Sequence, residues 1–395
     1  MVERALNTAV SPKIPTLPQV LKTHDSAYIG KWHLGGHGAL GQQPRDHGFE
    51  EIAYFDAGGS SYFDWRPRWD NRKHYSDKMP QPELLIGSSG EATGETYLTK
   101  DLTVQAQRYL EQRAETPEKP FFLYFAHFSV HTPIQAEEDY INHFEGKDTL
   151  GNGGHDNPTY AGMVKHLDDS VGAIMKTLKE TGLAENTLVV FSSDNGGVEY
   201  TNPAATDNAP FKGGKACLYE GGVRVPLVYY MPGRFESAWS DNPVNCTDFL
   251  PTFAGLTQNN VPAGIDGQDI TALLENPESD APERTIIWHY PFNVIVKHPD
   301  NGLPLTPHSA IRVGDHKLIW DWHGKLELYD VPDDPYEQND LAATMPERTD
   351  TMFRELREWL EENVEERYFP QRNSNYDPAK DVRGYSFVDL SAGKI

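Results

Sequence analysis

Two basic side chains, Lys31 and His33, follow a short apolar run within Gly-Lys-Trp-His-Leu-Gly, residues 30–35. In an extended backbone, residues two apart point to the same side, so Lys31 and His33 can face one anion while Trp32 packs on the other side. Lysine neutralises charge on an anion, and histidine transfers protons near neutral pH. Taken alone, the pair is also compatible with a solvated lysine beside a histidine that caps a turn.

A carboxylate and an amide, Asp194 and Asn195, come two serines after the apolar run 188–191 and precede two glycines. Side chains that follow buried strands gather at the carboxyl edge of an open α/β sheet, where such folds bind ligands. Hard oxygen donors favour Ca²⁺ or Mg²⁺ over Zn²⁺, and a Ca²⁺ shell needs about 6–8 oxygens, so further ligands must come from elsewhere. Without other context, Asp-Asn-Gly-Gly is also a common turn.

Two more polar groups are candidates for the same site. Lys215 lies in Lys-Gly-Gly-Lys, a glycine-bearing loop from which a lysine can reach an oxyanion, and Lys212 is the alternative within it. His131 follows the run 121–126 and suits proton transfer, and the alternative is a histidine that caps the strand end. His127, inside the apolar run, is expected to be a core histidine.

Composition excludes several classes of partner. The chain has 395 residues, with 59 Asp plus Glu against 35 Lys plus Arg, a formal net charge of −24. Such a field repels nucleic acid and anionic membranes, so an anionic substrate needs a local cluster of cations. No apolar run has the length of a membrane span. Cys217 and Cys246 are too few for a disulfide framework, although one bridge between them stays possible.

Periodicity predicts alternating strands and helices, hence a doubly wound α/β sheet, followed by a smaller antiparallel region. The expected helices cover residues 16–22, 95–115, 160–181, 247–256 and 346–366. The expected strands cover residues 26–30, 121–126, 188–191, 227–231, 286–290, 309–313, 317–322 and 326–330. Residues 35–94 are expected to form long loops around a site. We place domains at 1–282 and 283–370, with a tail at 371–395.

In the second domain, four aromatic residues stand on or beside predicted strands: Trp288, His289, Tyr290 and His308. They either line a pocket or, as aromatic strand residues usually do, form core.

Together, residues 30–35, Ser-Ser-Asp-Asn-Gly-Gly at 192–197 and the segment 212–226 resemble the sulfatase family. The resemblance covers nearly the whole chain from Leu17, including Leu-Tyr-Asp at 328–330 and Asp-Pro with Asn-Asp-Leu at 334–341. It implies an alkaline-phosphatase-like α/β sandwich with a central, mostly parallel sheet and a small C-terminal antiparallel α+β subdomain. It also implies a sulfuric ester hydrolase of the arylsulfatase type and a periplasmic or extracellular location.

The resemblance also assigns roles. Lys31 and His33 contact the sulfate group and the nucleophile, and Lys215 binds sulfate. His131 protonates the leaving oxygen, and Asp194 with Asn195 ligates Ca²⁺ or Mg²⁺. Glu220 and Arg224 are expected to form a supporting ion pair. The implied partner is a sulfate ester, such as a sulfated glycan.

The family's nucleophile is a formylglycine made from Cys or Ser in Cys/Ser-x-Pro/Ala-x-Arg, and the 395 residues contain no such sequence. Thr344 opens the pattern Thr-Met-Pro-Glu-Arg, but threonine is the wrong precursor. We expect that the nucleophile, two metal-binding aspartates and a first strand belong upstream of Met1. An exposed sheet edge, poor stability and at most residual hydrolysis are then expected. The alternatives are a phosphoesterase of the same superfamily and a non-catalytic protein that binds sulfated glycans.

Overall fold

The structure is a computed structural model, and it describes most of the chain. The described residues are 14–34, 44–55 (51–55 as backbone), 59–63, 65, 95–147, 155–199, 206–279, 284–291, 299–300 and 307–370. The predicted tail at 371–395 lies outside them, as does residue 283, at which the domain boundary was placed. Most of the predicted loop region 35–94 is outside them as well.

The elements follow the predicted order closely. The strands are β1 Asp25–Lys31, β2 Glu51–Phe55, β3 Phe121–Ala126, β4 Val189–Ser192, β5 Leu227–Tyr230, β6 Thr285–Tyr290, β7 His308–Val313, β8 His316–Asp321 and β9 Lys325–Asp330. The helices are α1 Leu17–Val20, α2 Leu98–Ala114, α3 Glu138–Phe144, α4 Pro158–Glu180, α5 Glu220–Val223, α6 Phe249–Leu256, α7 Thr271–Glu275 and α8 Pro346–Asn363.

Three strands form a parallel sheet in the order β2-β1-β3. Ala27 in β1 is opposite Leu123 on one side and Glu51 on the other. Parallel pairing directs the carboxyl ends of all three strands to one edge, which is where Lys31 ends β1. The strand β2 was not predicted, because it lies in a glycine- and proline-rich region without a sustained period.

Helices α2 and α4 cover one face of this sheet. The predicted apolar stripe of α2 is fully buried, and it consists of Leu98, Leu102, Ala106, Tyr109 and Leu110. It packs with Met163 and Leu178 of α4 and with Phe121, Leu123 and Phe125 of β3 in one hydrophobic cluster. Both helices are therefore confirmed, and they hold the strands whose ends carry the candidate site.

Strands β4 and β5 differ from a wholly parallel arrangement. They pair antiparallel, with Val190 opposite Tyr229. The sequence predicted apolar strands covered on both faces, but Tyr124 is 47% exposed and Val228 is 53% exposed. Among the described strands, β3 pairs only with β1, and β4 only with β5. Within the part of the chain that the structure describes, these strands therefore present partly exposed side chains.

The C-terminal region forms an antiparallel sheet in the order β6-β7-β8-β9, as predicted. Its core packs against α8 and contains Leu318, Trp320, Leu328, Phe353 and Leu356. On the sheet's other side, Cys217 and Tyr219 pack against Ala310, Ile319 and Tyr329. The loop that carries Lys215 therefore shares a core with the C-terminal sheet.

Cys217 is buried and Cys246 is exposed, and both are free thiols, so no bridge joins them. In the part of the chain that the structure describes, no helix is long and apolar enough to cross a bilayer.

Candidate active site

Lys31 is held at the end of β1 by close backbone packing. Gly30 has φ 111°, and a Cβ atom there would lie 1.9 Å from the Ala126 carbonyl oxygen, so only glycine fits. The hydroxyl of Tyr28 donates to the Lys31 carbonyl. Trp32 is buried and packs edge-on against Tyr28, with ring centroids 4.9 Å apart. The aromatic packing behind the strand end leaves Lys31 only partly exposed.

Asp194 and Asn195 follow β4 in a loop that is bonded to the segment around Lys215. The Gly196 amide donates to the Gly222 carbonyl at 3.0 Å, and the Lys215 amide donates to the Gly197 carbonyl at 2.9 Å. A Cβ atom on Gly196 would lie 1.7 Å from the Gly221 carbonyl oxygen. Two glycine-bearing loops can therefore approach backbone to backbone, which brings Asp194 and Lys215 to one place.

Asn208 and Glu199, which the sequence analysis did not identify, hold the same loop through hydrogen bonds. The Asn208 carbonyl Oδ1 accepts from the Gly197 amide at 2.8 Å, and its Nδ2 donates to Glu199 at 2.7 Å. Glu199 also accepts from the backbone amide of Asn208 at 2.9 Å. Neither residue belongs to a local motif, so their types gave no signal.

Four of the six predicted side chains lie close enough to influence one another electrostatically. Burial lowers the pKa of Lys31, the Asp194 carboxylate raises it and the Lys215 ammonium lowers it. Burial likewise lowers the pKa of His131, with further lowering by Lys31 and Lys215 and an opposing effect of Asp194. Four segments distant in sequence therefore deliver two cations, one carboxylate and one imidazole to one site.

The imidazole of His131 is oriented by its own backbone. Its Nδ1–H donates to the Thr132 carbonyl at 2.7 Å, which leaves Nε2 as the nitrogen for proton transfer. The His131 carbonyl accepts from the Tyr62 hydroxyl at 3.0 Å, and Tyr62 is fully buried. A Cβ atom on Gly59 would lie 3.1 Å from His131 Nδ1, so that glycine gives the ring room.

His33 does not follow the geometry expected for it. The strand ends at Lys31, and His33 is exposed with φ 47°, in the left-handed region. Strand alternation therefore does not set its direction, and the argument that Lys31 and His33 share one side does not hold. Its place two residues beyond Lys31 still puts it at the carboxyl edge of β1.

The donors fit part of a site for a hard cation. Asp194 presents an exposed carboxylate, and Asn195 Nδ2 donates to the Gly196 carbonyl at 2.9 Å, which leaves its amide oxygen available. Within the described ranges, no group of three or more His, Cys, Asp or Glu side chains is placed to hold a metal ion. The oxygen chemistry thus suits Ca²⁺ or Mg²⁺, and two such donors would fill only part of a shell of about 6–8 oxygens.

The remaining basic groups of the segment 212–226 have other partners. Lys212 faces the C-terminal sheet, with Nζ 2.8 Å from the Asp300 carboxylate and 3.2 Å from the Tyr329 hydroxyl. The expected pair of Glu220 and Arg224 forms, with 3.6 Å between its charged atoms. Lys212 is therefore engaged with the C-terminal region, whereas Lys215 lies near Lys31 and His131.

The remaining histidines and aromatic residues that the sequence analysis singled out belong to packing. Burial lowers the pKa of His127 to about 4, and its Nε2 lies 3.3 Å from the Ser170 hydroxyl, as expected for a core histidine. His289 bridges Ser309 and the Tyr368 carbonyl. Trp288 and Tyr290 pack against the core that contains Tyr219, and His308 is buried.

Comparison with known families agrees with this architecture. The Sulfatase family model matches residues 3–259, and a model for the C-terminal region of N-sulphoglucosamine sulphohydrolase matches residues 213–366. The fold is of the alkaline-phosphatase-like α/β class. Within that class, the chain belongs to the sulfatase family.

Relatives of known name extend over most of the chain. An ulvan-active sulfatase of Formosa agariphila is 25% identical over 393 residues, covering 94% of this chain and 71% of the relative. The N-acetylgalactosamine-6-sulfatase of Mus musculus is 29% identical over 327 residues, 79% of this chain, but the match spans only 56% of that relative. The solved structure of Ps i-CgsB in complex with k-i-k-neocarrahexaose has a TM-score of 0.71 and 27% identity, covering 94% of this chain and 79% of that one.

Proposed function

We propose that this chain binds a sulfate ester of a carbohydrate and carries the anion-binding and proton-transfer part of a sulfate-ester hydrolase site. The observation that carries the proposal is the meeting of Lys31, Lys215, His131 and Asp194 in a chain whose net charge is −24. Two ammonium groups beside each other in a negative field, that of Lys31 partly desolvated, are an arrangement that favours one anion. The relatives named for ulvan and N-acetylgalactosamine, and the structure bound to neocarrahexaose, support a carbohydrate substrate.

In the proposed mechanism, Lys31 and Lys215 hold the sulfate oxygens and stabilise the charge that develops on them. His131 donates a proton from Nε2 to the leaving oxygen, and His33 would assist the formylglycine that the family resemblance implies as the nucleophile. His131 must be protonated to act, whereas burial and the two lysines lower its pKa in the free chain. A bound sulfate opposes both lysine charges, so substrate raises the pKa of the group that acts on it.

Asp194 and Asn195 are proposed to ligate Ca²⁺, or Mg²⁺ in its place, together with ligands from elsewhere in the protein. When bound, the cation supplies positive charge that polarises a sulfate oxygen. By the family resemblance, the nucleophile is a hydrated formylglycine, for which the 395 residues hold no Cys/Ser-x-Pro/Ala-x-Arg sequence. Turnover of an aryl sulfate by this chain is therefore expected to be residual, while anion binding needs only the residues present. The same resemblance favours a periplasmic or extracellular location.

Binding can be tested by unfolding the chain with and without ligands. At about 100 times its dissociation constant, sulfate added with Ca²⁺ is expected to raise the free energy of unfolding by about 2.7 kcal/mol. Asp194→Asn removes the carboxylate at the same size and should abolish the part that depends on Ca²⁺. An equal response of wild type and Asp194→Asn to Ca²⁺ would exclude this residue as a ligand.

A parallel assay separates hydrolysis from binding. Wild type is incubated with 4-nitrophenyl sulfate, and the binding of a sulfated oligosaccharide and of its desulfated form is measured by calorimetry. Preference for the sulfated form supports the proposal. Equal affinity for both forms would contradict it. Rapid sustained release of 4-nitrophenol would contradict the expectation of residual turnover.

A further inference from the structure

A buried ionic cluster joins the C-terminal sheet to the loop that carries Lys215. Lys317 of β8 is fully buried, and its Nζ donates to Glu220 at 2.8 Å and to Glu337 at 2.9 Å. Glu220 and Glu337 are 4% and 1% exposed. One cation and two carboxylates are thus withdrawn from water, with Arg224 at the rim, 3.6 Å from Glu220.

Glu337 makes contacts from its backbone as well as from its side chain. Its second carboxylate oxygen accepts from the Glu220 amide at 2.7 Å, and its carbonyl accepts from Lys212 Nζ at 3.3 Å. Its φ of 52° is left-handed, a conformation that costs free energy for a residue with a side chain. Asp334 supports this turn by accepting from the amides of Gln338 and Asn339 at 2.9 and 2.8 Å.

From Glu220, hydrogen bonds lead directly to the candidate site. Glu220 begins α5, and the next amide, that of Gly221, donates to the Lys212 carbonyl at 2.9 Å. The carbonyl of Gly222 accepts from the Gly196 amide, two residues beyond Asp194. The cluster therefore fixes both ends of the segment 212–222, and Lys215 lies between them.

Burying three charges is a poor way to gain stability, because the desolvation of each ion offsets most of the attraction between them. Its geometric effect is different, since a charged pair with defined donors holds its partners in one arrangement. We propose that Lys317, Glu220 and Glu337 form a positioning device for the active site. Through it, the C-terminal region sets the place of Lys215 and of the loop after Asp194; this rests on the anion-binding function proposed above.

Glu337→Gln is the mildest variant that tests this positioning role. The amide has one acceptor oxygen, while Glu337 now serves two separate donors, Lys317 Nζ and the Glu220 amide. Asp248→Asn is the matched control. Asp248 is also fully buried and paired, to Arg284 at 2.7 Å, but it braces α6 and β6 and not the segment 212–222.

Amide hydrogen exchange, measured without any ligand, tests whether the ionic cluster holds the segment 212–222 in place. Glu337→Gln is expected to speed amide exchange in residues 213–223 by about tenfold or more, while β1 and β3 are unchanged. In Asp248→Asn, exchange in residues 213–223 should stay within about twofold of wild type. Two results would overturn the proposal. In one, residues 213–223 exchange at the same rate in Glu337→Gln as in wild type. In the other, their exchange is faster by the same factor in Glu337→Gln and in Asp248→Asn.

A double-mutant cycle decides whether the cluster acts through Lys215. Glu337→Gln alone is expected to lower sulfate affinity about tenfold, but to have little effect when Lys215 is already methionine. Additive losses would overturn the proposed connection. If wild type binds no sulfate, the anion-binding function fails, whereas the exchange measurement still decides whether the cluster holds the loop.

Discussion

Lys215→Met is expected to lower the affinity of the chain for sulfate between about 10-fold and 150-fold, the loss of one hydrogen bond to a charged group. Methionine keeps the length and the apolar stem of lysine but removes the ammonium group. The loss should be large because the chain's net charge of −24 repels the ligand wherever local cations do not offset it. Calorimetric titration with sulfate, at fixed ionic strength, gives the dissociation constants.

Lys176→Met is the matched control, since it removes the same charge from an exposed pair with Glu180. Its sulfate affinity should equal that of wild type, because exposed charges are screened at physiological salt. Lys31→Met should lower the sulfate affinity about as much as Lys215→Met does. Both ammonium groups lie near enough to His131 to lower its pKa, so both belong to the same site. Equal losses in Lys176→Met and Lys215→Met would show that sulfate responds to total charge and not to a site.

Lys317→Met is expected to destabilise the fold by about 3–5 kcal/mol. Removing the ammonium group leaves the carboxylates of Glu220 and Glu337 buried side by side with no cation between them. The free energy of unfolding, measured with urea, reports the change.

Removing all three charges should be far less harmful. The triple variant Lys317→Met, Glu220→Gln and Glu337→Gln leaves no buried charge in the cluster, and it should recover most of the stability lost by the single variant. This pattern distinguishes an electrostatic cause from a simple loss of packing. A triple variant as unstable as Lys317→Met would contradict it.

Regular elements were readable from sequence because their signal is local. The helical spacing of Leu98, Leu102, Ala106, Tyr109 and Leu110 identified the buried face of α2, and the continuous apolar run 121–126 gave β3 its observed bounds. Strand β2 could not be predicted, because it lies in a region whose sequence is typical of loops. The antiparallel pairing of β4 with β5 depends on contacts far apart in the chain.

The candidate site was readable to the extent that strand ends determine it. Lys31 ends β1 and Asp194 follows β4, and the rule that side chains at strand ends gather at one edge predicts that they lie near each other. The rule failed for His33, whose left-handed φ takes it out of the strand pattern. The rule could not identify Lys317 and Glu337. Lys317 pairs with Glu220, 97 positions away, and with Glu337, 20 positions away, and such pairs leave no pattern in the local sequence.

The pKa of His131, followed by NMR in metal-free protein without sulfate, tests most directly whether these segments form one site. In wild type it should lie below the ordinary value of 6.5. Lys215→Met should raise it, because a cation near the imidazole is removed, and Asp194→Asn should lower it further, because an anion is removed. Lys176→Met should leave it unchanged. A His131 pKa that is the same in all four proteins would contradict a common site for Lys215, Asp194 and His131.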